Sequence, residues 1–319
     1  MLNVKKLDFN DLEKYWNELK TETGYYPFQS YSYLKIFSDN FIKGKNLYLL
    51  GVFENEKVIG LGGFERVGEK IIFIGMKPVF GNQELTDFGD VTCLKNKINQ
   101  VWPGIINYFS NEKIKQLQLD YVRDDSPTLS FFKNSKITQQ TVSPFINLPQ
   151  TFEDYLASLN RKDRHEFKRK LKRLEKISYR FLFDEEINQT NFDQFIKLHQ
   201  QSDPEKNQFM SDQMKNFFWQ LVNINDSVWQ IKFSSMFIEN QKVASVLYFS
   251  NNKEMLLYNS GFNPEFNQYS VGLISKVFMI KTAIEKNFLT FDFLRGNERY
   301  KYDFGAKDRI LYQIIFNIL

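Results

Sequence analysis

The residues best suited to chemistry lie between Leu256 and Gly305, where a strand, a polar loop, a helix, a second strand and a short aromatic and charged helix follow one another. The first strand covers Leu256 to Phe262, and the helix opens near Ser270-Val271-Gly272 with Leu273, Val277, Ile280 and Ile284 at helical spacing. A helix starting there turns unbonded backbone N–H groups and the positive end of its dipole toward the loop. That end suits a phosphate or pyrophosphate, and Gly272 lets it come close. The same glycine also serves plain helix–strand packing, and the residues leave both readings open. Asp292 alternates with Phe291 and Phe293, so its carboxylate is expected on the opposite face of the strand, toward a cleft or solvent, where it could orient an amine or act as a base. An ion-paired residue at a strand end fits the same pattern. Arg295, Glu298, Tyr300 and Lys301 form the densest polar group beside it, although Glu298 and Lys301 at i, i+3 can simply pair with each other, for about 0.2–0.5 kcal/mol.

The segment Phe291-Asp292-Phe293-Leu294-Arg295-Gly296, followed by Asn297-Glu298-Arg299-Tyr300-Lys301-Tyr302, resembles the FDFLRGxExYK signature of the cellulose-biosynthesis CelD-type acetyltransferases, a branch of the GNAT superfamily of acyl-CoA transferases. Tyr258-Asn259-Ser260-Gly261-Phe262 is similar to that family's strand before the cofactor loop, Phe195 to His199 to the segment ahead of its central sheet, and Tyr155 to Glu175 to its basic helix. The resemblance covers about Thr151 to Lys307 and is looser before it. It implies an α/β fold (α+β, mixed sheet) of two GNAT-like domains in tandem, 1–145 without a cofactor of its own and 146–319 binding acyl-CoA.

Acyl transfer from a thioester needs a cradle for the pyrophosphate, a donor for the developing oxyanion, a way to deprotonate the acceptor amine, and an acid for the leaving thiolate. It needs no covalent nucleophile, in keeping with a chain whose Cys93, His165 and His199 form no visible triad. The cradle is assigned to Gln268, Tyr269, Ser270, Val271 and Gly272, with Asn259 and Ser260 on the neighbouring strand, where a main-chain N–H around Asn259 to Gly261 would face the oxyanion if the strands splay. Asp292, Glu298 and Tyr300 are the catalytic candidates, with Tyr302 a substitute for Tyr300, which also fits a buried tyrosine with a wet tip. Arg295 and Lys301 are assigned to substrate. The cosubstrate implied is acetyl-CoA or another acyl-CoA, and the acceptor a small molecule, an amino sugar or a polysaccharide precursor set between the two halves.

The remaining sequence sets bounds and positions these groups. The 319 residues, 42% hydrophobic with 33 Phe, can fill large cores, and a formal charge of +4 does not by itself call for nucleic acid. One cysteine and two histidines argue against a disulfide framework or a metal centre. No apolar run reaches bilayer length and Met1 to Asn10 lacks the apolar core of a secretory signal, so the cytoplasm is the expected compartment.

The first half reads as helices at Asp8 to Glu22 and around Tyr31 to Phe37, a hairpin of Leu47 to Phe53 and Val58 to Phe64, a strand at Lys70 to Ile74, a long loop from Met76 to Asp90, a helix at Leu94 to Phe109 interrupted by Pro103, and a strand at Lys115 to Val122. Its loop has no compact glycine turn for a phosphate and faces substrate instead. Pro144 and Pro149 mark the crossing to the second half, where one helix from a Thr151 cap through Leu174 leads to a strand at Tyr179 to Phe183. Helices follow at Phe192 to His199 and Gln213 to Val222, then strands at Trp229 to Ile238 and Lys242 to Phe249, and Ile310 to Ile318 closes that half's sheet.

Nine Lys or Arg between Arg161 and Lys176, against Asp163, Glu166 and Glu175, make one strongly basic helix. A solvated helix face explains it, as do coenzyme A phosphates, an anionic acceptor, an acidic membrane or RNA. The last links to Fem-type transferases, also double GNAT-like proteins, which move amino acids from tRNA to peptidoglycan precursors. Their helical hairpin arm has no counterpart here, because the basic helix runs almost directly into the next strand, which ranks that reading second. A non-catalytic binding module that kept the fold is the third.

Overall fold

The computed structural model describes residues 1–42 and 44–318 and divides into two compact units, Met1–Val142 with the C-terminal segment from Arg309, and Ser143–Asp308. The first unit runs β1 (Leu2–Leu7), α1 (Phe9–Leu19), α2 (Tyr31–Phe41), β2 (Leu47–Glu54), β3 (Lys57–Val67), β4 (Lys70–Phe73), the short β5 (Thr92–Cys93), α3 (Ile98–Asn111), β6 (Gln116–Arg123) and α4 (Pro127–Phe131). Asp8 caps α1 by accepting from the Asp11 amide, and Leu12, Trp16 and Leu19 bury one face at helical spacing. Pro103 sits inside α3, which continues through it rather than being interrupted. The strand β7 (Lys136–Asn147) then carries the chain into the second unit.

That unit contains α5 (Phe152–Ser158), α6 (Arg161–Leu174), β8 (Tyr179–Glu185), α7 (Gln189–Ser202), α8 (Pro204–Phe209), α9 (Asp212–Val222), β9 (Gln230–Ile238), β10 (Gln241–Ser250), β11 (Glu254–Phe262), α10 (Val271–Glu285), β12 (Thr290–Asp292) and α11 (Arg299–Asp303); the final strand is β13 (Lys307–Asn317). The single helix expected from Thr151 to Leu174 is two. Thr151 caps α5 by accepting from the Asp154 amide, as its type and spacing indicate, but Asn160 opens a new helix by accepting from Asp163.

The two units repeat one topology. In the first, β1-β2-β3-β4 is an antiparallel meander, β6 joins parallel to β4, and β13 lies antiparallel to β6. In the second, β8-β9-β10-β11 is the meander, β12 joins parallel to β11, and β7 lies antiparallel to β12. The closing strands are therefore exchanged in sequence: β13 completes the first unit's sheet, not the second's as its position in the chain implies, and β7 completes the second's.

The second unit is built around α10, whose Val271, Ile274, Val277, Met279, Ile280, Ala283 and Ile284 are all buried. A helix apolar all round must be covered on both sides; β10 and β11 lie on one side, and α5 and α6 also pack on it. Along β10, Ala244, Val246 and Tyr248 join this core, while the alternating Ser245, Leu247 and Phe249 are equally buried toward a second layer that includes α7. No helix among the described residues is long and apolar enough to cross a membrane.

Candidate functional site

The strands β11 and β12 part where the site lies. Their parallel pairing covers Glu254–Leu256 against Thr290–Asp292 and then stops. After Asp292 the chain stays with β7, the Phe293 amide donating to the Pro144 carbonyl at 2.9 Å, while β11 continues to Phe262 against β10 alone. This is the splay that the oxyanion reading required. A bulge at Tyr258, the extra residue between Leu257↔Tyr248 and Asn259↔Leu247, bends β11 at the same level and re-aims its backbone.

Beyond β11, Pro264–Tyr269 forms a 3₁₀ turn, Ser270 takes a left-handed conformation (φ 54°), and α10 starts at Val271. The amides of Leu273 and Ile274 both turn back onto the Ser270 carbonyl, at 2.9 Å each, so Val271 and Gly272 form the leading end of the helix. Gln268 is exposed, and Tyr269, Ser270 and Gly272 are half-buried, while Val271 is buried in the core. Arg173 of the basic α6 donates to the Gln268 carbonyl at 2.7 Å, which brings that helix to the cradle segment. A Cβ on Gly272 would sit 2.8 Å from the Phe262 ring, so this glycine is also required for packing.

Asn259 and Ser260 are held by their own surroundings. The Asn259 side chain accepts from the Ser260 amide at 2.8 Å and bonds the His199 imidazole, and the Ser260 carbonyl accepts from Lys206 Nζ at 2.7 Å. Gly261 allows α7 to touch β11 backbone to backbone, since a Cβ there would lie 2.2 Å from the His199 nitrogen. His199 is consequently buried, its Nδ1 has no hydrogen-bond partner among the described residues, and burial followed by the Lys206 charge pushes its pKa down to about 3.

Asp292 does not face solvent. It is 1% exposed, and its Oδ1 accepts from Ser143 Oγ at 2.8 Å and from the Leu294 amide at 2.7 Å. The second bond closes a turn that lets Leu294 adopt φ 59°, a conformation disfavoured for a branched side chain. The alternation itself holds, with Phe291 and Phe293 in the core cluster and Asp292 outside it, but Ser143 of β7 and the Leu294 amide, rather than solvent, meet the carboxylate.

Lys301 is likewise inward. At 2% exposure it donates to the carbonyls of Leu294, Arg295 and Gly296 at 3.0, 2.9 and 3.0 Å, and pairs with Glu298 at 2.9 Å. All its hydrogen-bonding capacity goes to the loop, which places it behind the site. Glu298 is exposed and Arg295 half-buried. Tyr300 packs edge-on against Phe293 and Phe304, with its phenol pKa raised by burial and by Glu298; Tyr302 instead donates to Asp308, and burial with that carboxylate pushes it up to about 12.

Two further lysines, not singled out from the sequence, complete the group. Lys276 lies on α10 beside the Tyr300 ring, 5.6 Å from its centroid, and Lys206 of α8 reaches β11. The sequence carried no distinguishing signal for the first, because α10 also holds Lys281 and Glu285. No group of three or more His, Cys, Asp or Glu among the described residues is arranged to hold a metal ion.

A meander, a parallel fourth and fifth strand that splay, a bulge on the fourth and a helix between them define the acyltransferase fold class of GNAT type. Residues 161–302, which contain the candidate residues from Asn259 to Tyr302, match the family model described as an acetyltransferase (GNAT) domain. Solved structures share the fold over the whole chain. FemX is 10% identical with TM-score 0.62, covering 98% of this chain and 97% of that one. The L-PGS of Bacillus licheniformis is 9% identical with TM-score 0.61 (97% and 92%), and a tandem GNAT protein from the clavulanic acid biosynthesis pathway is 11% identical with TM-score 0.50 (100% and 99%). No curated protein matches the chain. The fold is thus mixed α/β with tandem GNAT-like neighbours, and the domain match supports an acyltransferase.

Proposed function

We propose that the chain is an acyl-CoA-dependent N-acyltransferase whose second unit binds the acyl donor, with an amino sugar or polysaccharide precursor as acceptor, in the manner of the CelD-type proteins. The observation that carries the reading is the splay of β11 from β12 beneath the start of α10, inside the segment that matches a GNAT domain. Here the amides of Val271 and Gly272 and the segment Gln268 to Ser270 hold the pyrophosphate, with Arg173 at its flank. The acyl-CoA, when bound, would supply the thioester whose acyl carbon the acceptor amine attacks. As the amine nitrogen bonds the acyl carbon and the carbon–sulfur bond breaks, the protonated Tyr300 phenol would be the donor to the released thiolate, and the exposed Glu298 would take the proton that the amine loses. Asp292 and Lys301 position the loop that carries them.

Calorimetric titration of acetyl-CoA, coenzyme A and a longer acyl-CoA into the full chain tests this, with Gly272→Trp as control and circular dichroism to check that displacement of Phe262 leaves the fold intact. Saturable binding lost in a folded variant supports the cradle; equal affinity in both removes it.

A second reading is aminoacyl transfer from tRNA. It is favoured by the likeness to FemX and by the exposed Arg161, Lys162, Lys168, Lys172 and Lys176 of the α6 region, which run up to the cradle through Arg173. It predicts tRNA binding that weakens steeply with salt and disappears on charge reversal at Lys168 and Lys172. Tight coenzyme A binding with no tRNA gel shift excludes it.

A further inference from the structure

The backbone of β11 leaves the oxyanion without a donor. In an antiparallel ladder, successive residues turn their main-chain groups to alternate sides. Asn259 and Gly261 turn theirs toward their β10 partners, Leu247 and Ser245, in step with the Asn263 amide, which donates to the Val243 carbonyl at 2.8 Å. Ser260 therefore faces the other way, onto the edge that β12 has left. Both of its main-chain groups are taken there by side chains: its amide donates to Asn259 Oδ1 at 2.8 Å, and its carbonyl accepts from Lys206 Nζ at 2.7 Å. The amides from Asn259 to Gly261 are thus all engaged, and an ammonium stands on the open edge.

The short helix α8 puts that ammonium in place. Asp203 caps it by accepting from the Glu205 amide at 2.7 Å, and Pro204 opens its first turn. Phe209 and Met210, three and four residues beyond Lys206, are buried, while Glu205, Asn207 and Gln208 are exposed. Lys206 therefore lies on the inward face of α8, where packing alone favours an apolar side chain. It is half-buried and makes no ion pair among the described residues, and two of its three N–H donors remain beyond the one given to Ser260. We propose that Lys206 is the oxyanion donor of the acyl transfer, an assignment that rests on the acyl-CoA reading. As the acceptor nitrogen bonds the acyl carbon, the carbonyl electron pair moves onto oxygen, and the ammonium holds that charge by a hydrogen bond without giving up its proton. When the carbon–sulfur bond breaks, the pair returns to re-form the carbonyl and the thiolate leaves.

The test is calorimetric titration of the full chain with two unreactive ligands. One is the ketone analogue of acetyl-CoA in which a methylene replaces the thioester sulfur; the other is S-ethyl-CoA, which has no carbonyl oxygen to bind. Wild type is expected to bind the ketone about tenfold more tightly than S-ethyl-CoA. Lys206→Met and Lys206→Gln are expected to bind both ligands equally, with the wild-type affinity for S-ethyl-CoA, whereas Lys206→Arg, which keeps the charge, retains the preference. Gln still offers the Ser260 carbonyl a donor, so it guards against a loss of fold in Lys206→Met, and circular dichroism checks each variant. A ketone preference that persists in Lys206→Met and Lys206→Gln, or that wild type lacks, overturns the role of Lys206 and leaves the acyl-CoA reading standing. Loss of both ligands from a folded variant also overturns it, because the lysine then serves cofactor binding at large. Failure of wild type to bind either ligand removes the acyl-CoA reading itself, and the role of Lys206 with it.

Discussion

Replacing Lys301 with methionine separates a residue that holds the loop from one that touches substrate. Met preserves the buried stem but removes three hydrogen bonds to carbonyls and the ion pair to Glu298. The carbonyl of the buried Leu294 loses a partner where water does not reach, at about 1–3 kcal/mol, whereas those of the half-buried Arg295 and Gly296 regain water and cost about 0.5–1 kcal/mol each. The pair to the exposed Glu298 adds about 0–1 kcal/mol. The total is about 4 kcal/mol, which for a folding unit of roughly 150–250 residues lowers the melting temperature by on the order of 10 °C. Urea unfolding followed by circular dichroism, together with acyl-CoA titration at 15 °C, measures both consequences. Lys301→Met that abolishes transfer while its unfolding free energy stays within about 1 kcal/mol of wild type refutes the loop-holding role and gives the lysine to the substrate.

Three other outcomes are expected. Gly261→Ala forces a Cβ to within 2.2 Å of the His199 backbone nitrogen and so lifts α7 from β11, costing about 1–3 kcal/mol in urea unfolding; Gly24→Ala, in open space, changes stability by about 0.5 kcal/mol or less. Because His199 is held near pKa 3 when folded and near 6.5 when unfolded, the unfolded chain takes up the proton first, so stability falls as pH drops through that window, by up to about 1.4 kcal/mol per pH unit. His199→Gln should flatten this part of the stability–pH curve, and an unchanged slope would show that another group titrates there. Burial, with Asp90, pushes the Cys93 thiol up to about 12, so a thiol reagent at pH 8 should label it only after unfolding. Rapid labelling of the native protein would contradict that environment.

Much of the fold was legible because it is written in local periodicity. The strands around Leu256 to Phe262, the helix opening at Ser270-Val271-Gly272 and the cap at Thr151 all follow from spacing and capping chemistry that act over a few residues. The break at Asn160 was hidden, because Leu156, Leu159 and Phe167 keep an apolar rhythm across it. At the site, the pairing of Glu298 with Lys301 could be read from i, i+3 spacing, but the inward turn of Lys301 could not, since its carbonyl partners are set by the left-handed Leu294 and by Gly296 at φ 112°. Asp292 was placed on the correct strand and assigned the wrong surroundings, because alternation defines a face and not what covers it.

The sequence by itself determined the strands around β9, β10 and β11, the helix α10 and the segment that carries the chemistry, since hydrophobic period and helix caps are short-range. Only the tertiary structure decided that β7 and β13 trade places, that β11 parts from β12 after Leu256, and that Lys206 reaches the Ser260 carbonyl on β11. Strand pairing joins residues far apart in the chain. The position of a charge at Lys206, at His199 or beside Tyr300 likewise depends on which backbones are brought against it.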